Sequence, residues 1–185
     1  MNRLNQLDPA KASGDTKMMF ADVQAKLGSV PNMFRIFGNS PSALKGYLAF
    51  SGALVAGVLN ARVREQIALA VAEINDCDYC LSAHTLLGRM SGLTGTEIDN
   101  ARRVQSADER STSILQLART IVVKRGELND EDLAAARAAG LTDSEIVETV
   151  ANVALNILTN YLNRVAKTVL DFPPVKAGVF TEGSN

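Results

Sequence analysis

Cys77, Cys80 and His84 are the residues of this chain best equipped for chemistry, and they lie within one short segment. They are both of its cysteines and its one histidine. On a helix of ~100° per residue they fall at roughly 0°, 300° and 340°, so they share a face. The thiolate is the nucleophile of sulfur chemistry, and a helix N-terminus favours it. An imidazole one turn on can take the thiol proton or stabilise the anion. A second thiol at i+3 can attack the oxidised first one and close a disulfide. Cys77-Asp78-Tyr79-Cys80 with His84 is therefore a minimal dithiol redox unit. Two other readings exist. Paired cysteines can be small core residues, but the histidine on their face argues against this. Cys77, Cys80 and His84 could also be three zinc ligands with one position open. The chain has no second cysteine pair to close a structural metal site. A thioredoxin-like setting needs a βαβ context that is missing here.

A proton relay also needs an acid, and two compete. Glu73 stands four residues before Cys77 and shares its face on an unbroken helix. Glu65 stands twelve before, about 18 Å away along a straight helix. It reaches the thiols only if the chain folds back at Asn75-Asp76. Spacing leaves both open, and a solvated carboxylate is the common fate of either.

The elements that must position these groups read as helices throughout, with no bounded run of strict alternation to suggest a sheet. The periodicity predicts a helix over Thr16–Leu27 ended by Gly28, and a short one from Pro31-Asn32 through Phe37. Ser40-Pro41 starts another, with Ser40 as cap and Pro41 in the first turn. The next runs from Ala61 to about Ile74. Asn75-Asp76 interrupts it, and Asp76 is suited to cap a helix beginning at Cys77 and stopping near Gly92. Thr94 with Glu97 and Thr142 with Glu145 have capping-box spacing. The last long helix, Asp143 to about Val169, carries Asn152, Asn156, Asn160 and Asn163 within an arc of roughly 80°. Its uncharged apolar remainder predicts burial on most sides, with the amides forming a helix–helix or subunit seam. A sharper reading has them border the active pocket.

Composition narrows the class. The chain has 185 residues, 46% hydrophobic and 21% charged, which fits one globular domain with a core of its own. Lys plus Arg is 19 and Asp plus Glu is 20, which argues against nucleic-acid binding through bulk charge. The longest uncharged stretch, Gly46 to Ala61, is short of the ~18 residues of a membrane span and predicts a buried helix. Met1 to Asp15 has no apolar signal core, so the expectation is a cytoplasmic protein. The expected organisation is a flexible arm over 1–15, one domain over 16–175 with its core motif over 60–92, and a tail over 176–185 that frays over 181–185.

Arg64-Glu65-Gln66-Ile67-Ala68-Leu69-Ala70-Val71-Ala72, then Asn75-Asp76-Cys77-Asp78-Tyr79-Cys80 and Ala83-His84, resembles the core of the alkylhydroperoxidase D-like (AhpD-like), carboxymuconolactone decarboxylase superfamily. Val30-Pro31-Asn32-Met33-Phe34 resembles its peroxidase-related branch, as do Asn156, Asn160-Tyr161-Leu162-Asn163 and Asp171-Phe172-Pro173. The resemblance implies an all-α bundle, the protomer of a homotrimer or homohexamer. It implies a thiol peroxidase acting on alkyl hydroperoxides through a Cys77–Cys80 disulfide. Cys80 would be the peroxidatic thiol, Cys77 the resolving one, and His84 with Glu65 the proton relay. It implies no metal and no bound cofactor, only an external dithiol or small-thiol reductant. Tyr79 stands where the best-known members can carry a second histidine. A phenol is a poor base at neutral pH but can donate a hydrogen bond. Tyr79, Glu73 and Asn160 are thus supporting candidates. The alternatives are a decarboxylase-like lyase on the same fold and a non-enzymatic dithiol sensor.

Overall fold

The computed structural model describes residues 3–180. All regular structure among them is helical, as the periodicity predicts. Nine α-helices follow a short 3-10 turn at Pro9–Lys11: α1 (Gly14–Leu27), α2 (Asn32–Phe37), α3 (Pro41–Val55), α4 (Ala61–Ile74), α5 (Asp78–Met90), α6 (Gly95–Arg102), α7 (Glu109–Val123), α8 (Asp130–Ala138) and α9 (Asp143–Ala166). None is long and apolar enough to cross a membrane.

Side-chain caps set many of these boundaries. Ser40, Asn60 and Asp108 accept backbone N–H bonds at the starts of α3, α4 and α7. Capping boxes open α6 at Thr94–Glu97 and α9 at Thr142–Glu145. A third, Asn129–Asp132, opens α8. Each cap satisfies N–H groups the helix leaves orphaned, a gain of about 1 kcal/mol apiece.

Helix α4 is the axis of the bundle. Ile67, Leu69, Ala70 and Val71 are fully buried, and α5, α6, α7 and α9 pack around it. Leu81 of α5 and Leu115 of α7 are fully buried in the same core. Each such leucine contributes about 1.5–3 kcal/mol of transfer free energy.

The turn from α4 to α5 orients the site. Asp76 has φ +53. Asp76 N–H bonds to Glu73 O and Cys77 N–H to Ala72 O, both on α4. This pairing is a Schellman stop with Asp76 in the left-handed position, which aspartate tolerates better than most residues. The break falls where expected, but Asp76 does not cap α5. Its backbone is committed to ending α4, so the cap passes to Cys77, whose Sγ accepts the Cys80 N–H at 3.3 Å. Helix α5 starts at Asp78 accordingly. Arg164 of α9 braces the turn through the carbonyls of Asn75 and Asp76. Helix α9 itself stops at Ala166, short of Val169, because Lys167 turns left-handed at φ +50.

Two expectations about burial are corrected. The uncharged stretch is not buried in the protomer: along α3 only Leu44 and Leu54 are, while Phe50 and Val55 face outward, as does Val58 beyond it. Helix α9 is turned against its hydropathy. Its amides Asn152, Asn156, Asn160 and Asn163 are buried, and Val147, Val150, Leu158, Tyr161 and Val165 are exposed. Among the described residues no other element covers these two apolar faces.

The terminal segments lie against the body. Leu7 N–H bonds to Arg35 O and Arg35 Nε–H to Leu7 O, so residues of the expected arm run along α2. After α9 the chain crosses α5 as an irregular strap. Val175 N–H bonds to Ser82 Oγ, Ala177 N–H to Asp78 Oδ1, Lys176 Nζ to Asp78 Oδ2 and Phe180 N–H to Glu73 Oε1. Residues 176–180, assigned to the tail from sequence, are part of this strap. The expected frayed end over 181–185 lies outside the described residues.

Candidate functional site

The fold-back at Asp76 lays α5 against α4 and brings His84 to Glu65. His84 Nδ1 lies 2.8 Å from Glu65 Oε2, with about a fifth of each side chain exposed. When Nδ1–H donates to the carboxylate, Nε2 is left as the acceptor, the nitrogen able to take a proton. Cys77 and Cys80 are joined in a disulfide across the first turn of α5, with Cα atoms 5.4 Å apart. Both are buried, at 2% and 3% exposure. A sulfur in that turn meets the positive end of the helix dipole, which favours its thiolate when reduced.

Two adjoining cavities meet at this point. One, of about 180 Å³, is lined by Glu65, His84, Arg64, Ser51 and the amides Asn152 and Asn156, among others. The other, of about 60 Å³, is lined by Cys80, His84, Met33, Phe172 and Asn163, among others. They share Tyr47, His84, Leu87 and Thr159. His84 thus stands between its carboxylate and the sulfur of Cys80, while Cys77 lines neither cavity.

The two competing glutamates part company. Glu73 is fully buried on the far side of α4, 3.0 Å from Arg102 Nε, and its other oxygen holds the Phe180 N–H. It lines a cavity of about 460 Å³ with Arg102, Arg103 and Phe180, away from the cysteines. The unbroken helix that would have put Glu73 beside Cys77 does not exist.

Tyr79 does not face the site as a free donor. Its hydroxyl accepts the Met33 N–H at 3.0 Å, and its ring packs edge-on against Phe172. Burial pushes the phenol far above its ordinary range, with Asp171 adding to the shift against the Met33 bond. Asp171 also accepts the Asn32 N–H at 2.6 Å, and Asn32 Nδ2 donates to Val169 O. The Val30-Pro31-Asn32-Met33 segment, Tyr79 and Asp171-Phe172 are thus one clamp joining α2, α5 and the strap.

Of the amide stripe, Asn160 takes a structural part: its Oδ1 accepts from Asn75 Nδ2 at 2.9 Å, tying α9 to the α4 end. Asn152 and Asn156 donate back into their own helix. Asn163 reaches the site, donating from Nδ2 to Cys80 Sγ at 3.3 Å. The stripe therefore serves both as a helix seam and as a border of the pocket.

Tyr47 is a site residue that no motif announces. Its ring stacks on Phe37 at 5.0 Å and meets Phe34 edge-on at 5.8 Å. Burial pushes its phenol up to about 12, the Glu65 charge adds to this, and a hydrogen bond from Ser51 opposes it. Tyr47 is a neutral phenol at physiological pH.

The described helices, with a cysteine pair at the head of one and a histidine–glutamate pair beside it, form an arrangement similar to that of AhpD-like proteins. The model of the carboxymuconolactone decarboxylase family matches residues 41–122. An uncharacterized protein of Haemophilus influenzae is 41% identical over 68 residues, 36% of this chain. The chain spans about 60% of that relative's length. A peroxidase-related protein from Ralstonia eutropha JMP134, described as an alkylhydroperoxidase AhpD core, superposes with a TM-score of 0.83 at 25% identity, covering 92% of both chains. A peroxidase-related protein from Silicibacter sp. TM1040 gives 0.79 at 25% identity, covering 97% of this chain and 94% of the other. The debrominase Bmp8, solved with 2,3,4-tribromopyrrole, shares the fold at a TM-score of 0.77 and 16% identity, with 91% of each chain covered. The chain is thus similar to the AhpD-like, carboxymuconolactone decarboxylase superfamily, and its helical fold is the AhpD-like one.

Proposed function

We propose that this protein is a cytoplasmic thiol peroxidase that reduces organic hydroperoxides through a Cys77–Cys80 dithiol–disulfide cycle. The observation that carries the reading is that His84, paired with Glu65, lines both of two adjoining cavities, one holding Glu65 and the other Cys80. In the reduced protein His84 takes the Cys80 proton, and Glu65 stabilises the imidazolium. The thiolate attacks the terminal oxygen of ROOH. The O–O bond breaks, the sulfur becomes a sulfenic acid, and the leaving alkoxide takes the proton from His84 to depart as ROH. The Cys77 thiol then condenses with the sulfenic acid, forming the S–S bond and releasing water. A dithiol protein or small thiol supplies two electrons and two protons to restore both thiols. The cycle needs no metal and no bound cofactor.

The working unit is a homotrimer or homohexamer. The support is the pair of exposed apolar faces on α3 and α9, since large uncovered apolar patches mark interaction surfaces.

The test is intact-mass and free-thiol analysis of the reduced protein before and after a stoichiometric dose of organic hydroperoxide. The expected result is loss of both thiols with two hydrogens. Cys80→Ser should abolish peroxide consumption. Two unreacted thiols in the parent protein, or one zinc per purified chain, would overturn the reading. Turnover of a small acid that survives loss of both cysteines would favour a lyase. A thiol–disulfide cycle without peroxide turnover would favour a sensor.

A further inference from the structure

Asn163 and Tyr47 lie outside the Glu–CxxC–His pattern, yet both line the cavity that holds Cys80. Asn163 is 3% exposed, and its Oδ1 has no hydrogen-bond partner among the described residues. A buried carbonyl oxygen without a partner is uncommon and costly, so it calls for an acceptor's role. Its own Nδ2 is engaged by Cys80 Sγ, which fixes the amide plane beside the sulfur. Asn163 lines the same cavity as that sulfur, so its amide borders any donor bound there.

Tyr47 supplies the complementary half. Its ring is fixed between Phe37 and Phe34, at the junction of the two cavities. Ser51, one turn further along α3, lines the wider of the two cavities with it. The neutral phenol carries a proton that it can donate to an acceptor in the cavity. Tyr79 cannot do this work, because its hydroxyl is tied to Met33 and faces the clamp.

A hydroperoxide has a matching asymmetry. The oxygen attacked by sulfur carries a hydrogen and is a donor. The oxygen that leaves has only lone pairs, and negative charge builds on it. We propose that Asn163 and Tyr47 grip the hydroperoxide group from its two ends: Asn163 Oδ1 accepts from the attacked O–H, and the Tyr47 hydroxyl donates to the leaving oxygen. This assignment rests on the peroxidase reading and adds two substrate-binding residues to it. Proton balance is unchanged, because His84 delivers the proton that completes the alcohol and Tyr47 keeps its own.

The experiment compares two single-turnover reactions of the reduced protein. One is oxidation by tert-butyl hydroperoxide. The other is alkylation by iodoacetamide, which reports thiolate reactivity without a peroxide. Tyr47→Phe keeps the stacked ring and should lower oxidation about 100-fold, the usual loss of one donor to a developing oxyanion, while alkylation changes little. Asn163→Ala should lower oxidation about tenfold more than alkylation, the loss of one neutral hydrogen bond. In Tyr47→Phe, peracetic acid should lose far less rate than tert-butyl hydroperoxide, since its leaving carboxylate needs little stabilisation. Equal losses in oxidation and alkylation, or equal losses on both oxidants, would overturn the assignment and leave the peroxidase reading standing. A parent protein whose thiols survive the hydroperoxide would overturn that reading, and this assignment with it.

Discussion

Replacing Glu73 and Glu65 in turn by glutamine should separate a structural carboxylate from a working one. Both side chains are conserved in size by the change, so only charge is lost. Glu73 is fully buried and sits 3.0 Å from Arg102, whose side chain is itself 9% exposed. Removing one partner of such a pair strands the other's charge, which costs about 3–5 kcal/mol. Asp99 still faces Arg102 at 3.7 Å, but it is largely exposed, so its compensation is partial. The lower end, about 3 kcal/mol, is the expected loss, and at about 2–4 °C per kcal/mol for a chain of this size it lowers Tm by about 6–12 °C. Glu65→Gln keeps an acceptor for His84 Nδ1 and strands no buried charge. Its cost should be about 1 kcal/mol or less, which is about 4 °C at most. Activity should invert the order: Glu65→Gln slows peroxide reduction about 100-fold, as loss of a proton-relay member does, while folded Glu73→Gln stays near the parent rate. Thermal unfolding and single-turnover thiol oxidation on both variants give the answer. If Glu73→Gln melts with the parent, or slows the chemistry more than Glu65→Gln, the assignment of the two carboxylates is refuted.

Other outcomes follow from the same geometry. Tyr79→Phe leaves the buried Met33 N–H without its acceptor, so it should destabilise the protein by about 1–3 kcal/mol, read by urea unfolding. Partial burial works to raise the Asp78 carboxyl, but the Ala177 N–H and the Lys176 ammonium outweigh it and hold it below the usual carboxylate range. Because the folded value is depressed, its hold on the strap is complete above the ordinary value of ~3.9 and is lost as pH falls through the lower folded one. Asp78→Asn should weaken the same hold at neutral pH, and limited tryptic cleavage after Lys176 should then run several-fold faster; an unchanged rate would count against the anchor. Val150→Asp and Leu158→Asp, on the outer face of α9, should shift the sedimentation of the proposed oligomer towards the single chain while leaving the helical content intact.

The parts of this molecule that depend on near neighbours in sequence were readable from it. The capping boxes at Thr94 and Thr142 needed only spacing. The stop at Asn75-Asp76 needed only side chains that favour turns, although which residue capped α5 depended on a backbone angle at Asp76. What spacing left open was set by contacts across the chain. Glu65 and Glu73 differ because the chain folds back, and only the fold decides which carboxylate meets His84. Tyr79 is a clamp because Met33, far earlier in the chain, places its N–H there. Asn163 stood in the amide stripe, but nothing marked it as the member that would reach Cys80. Tyr47 lies on a helix of small apolar residues with no polar pattern to single it out. The outward valines of α9 misled because hydropathy records what prefers burial, not what the single chain can bury.

The strap over α5 also fixes an order of events during synthesis. Ser82 and Val175 are 93 positions apart, and Glu73 and Phe180 are 107. The helix bearing the cysteines can form against α4 long before the segment that roofs it leaves the ribosome. In that interval two thiols at a helix head lie open to whatever oxidants and thiols surround the nascent chain. Arrival of the strap closes the roof, so the maturing protein carries forward whatever sulfur state it acquired while uncovered.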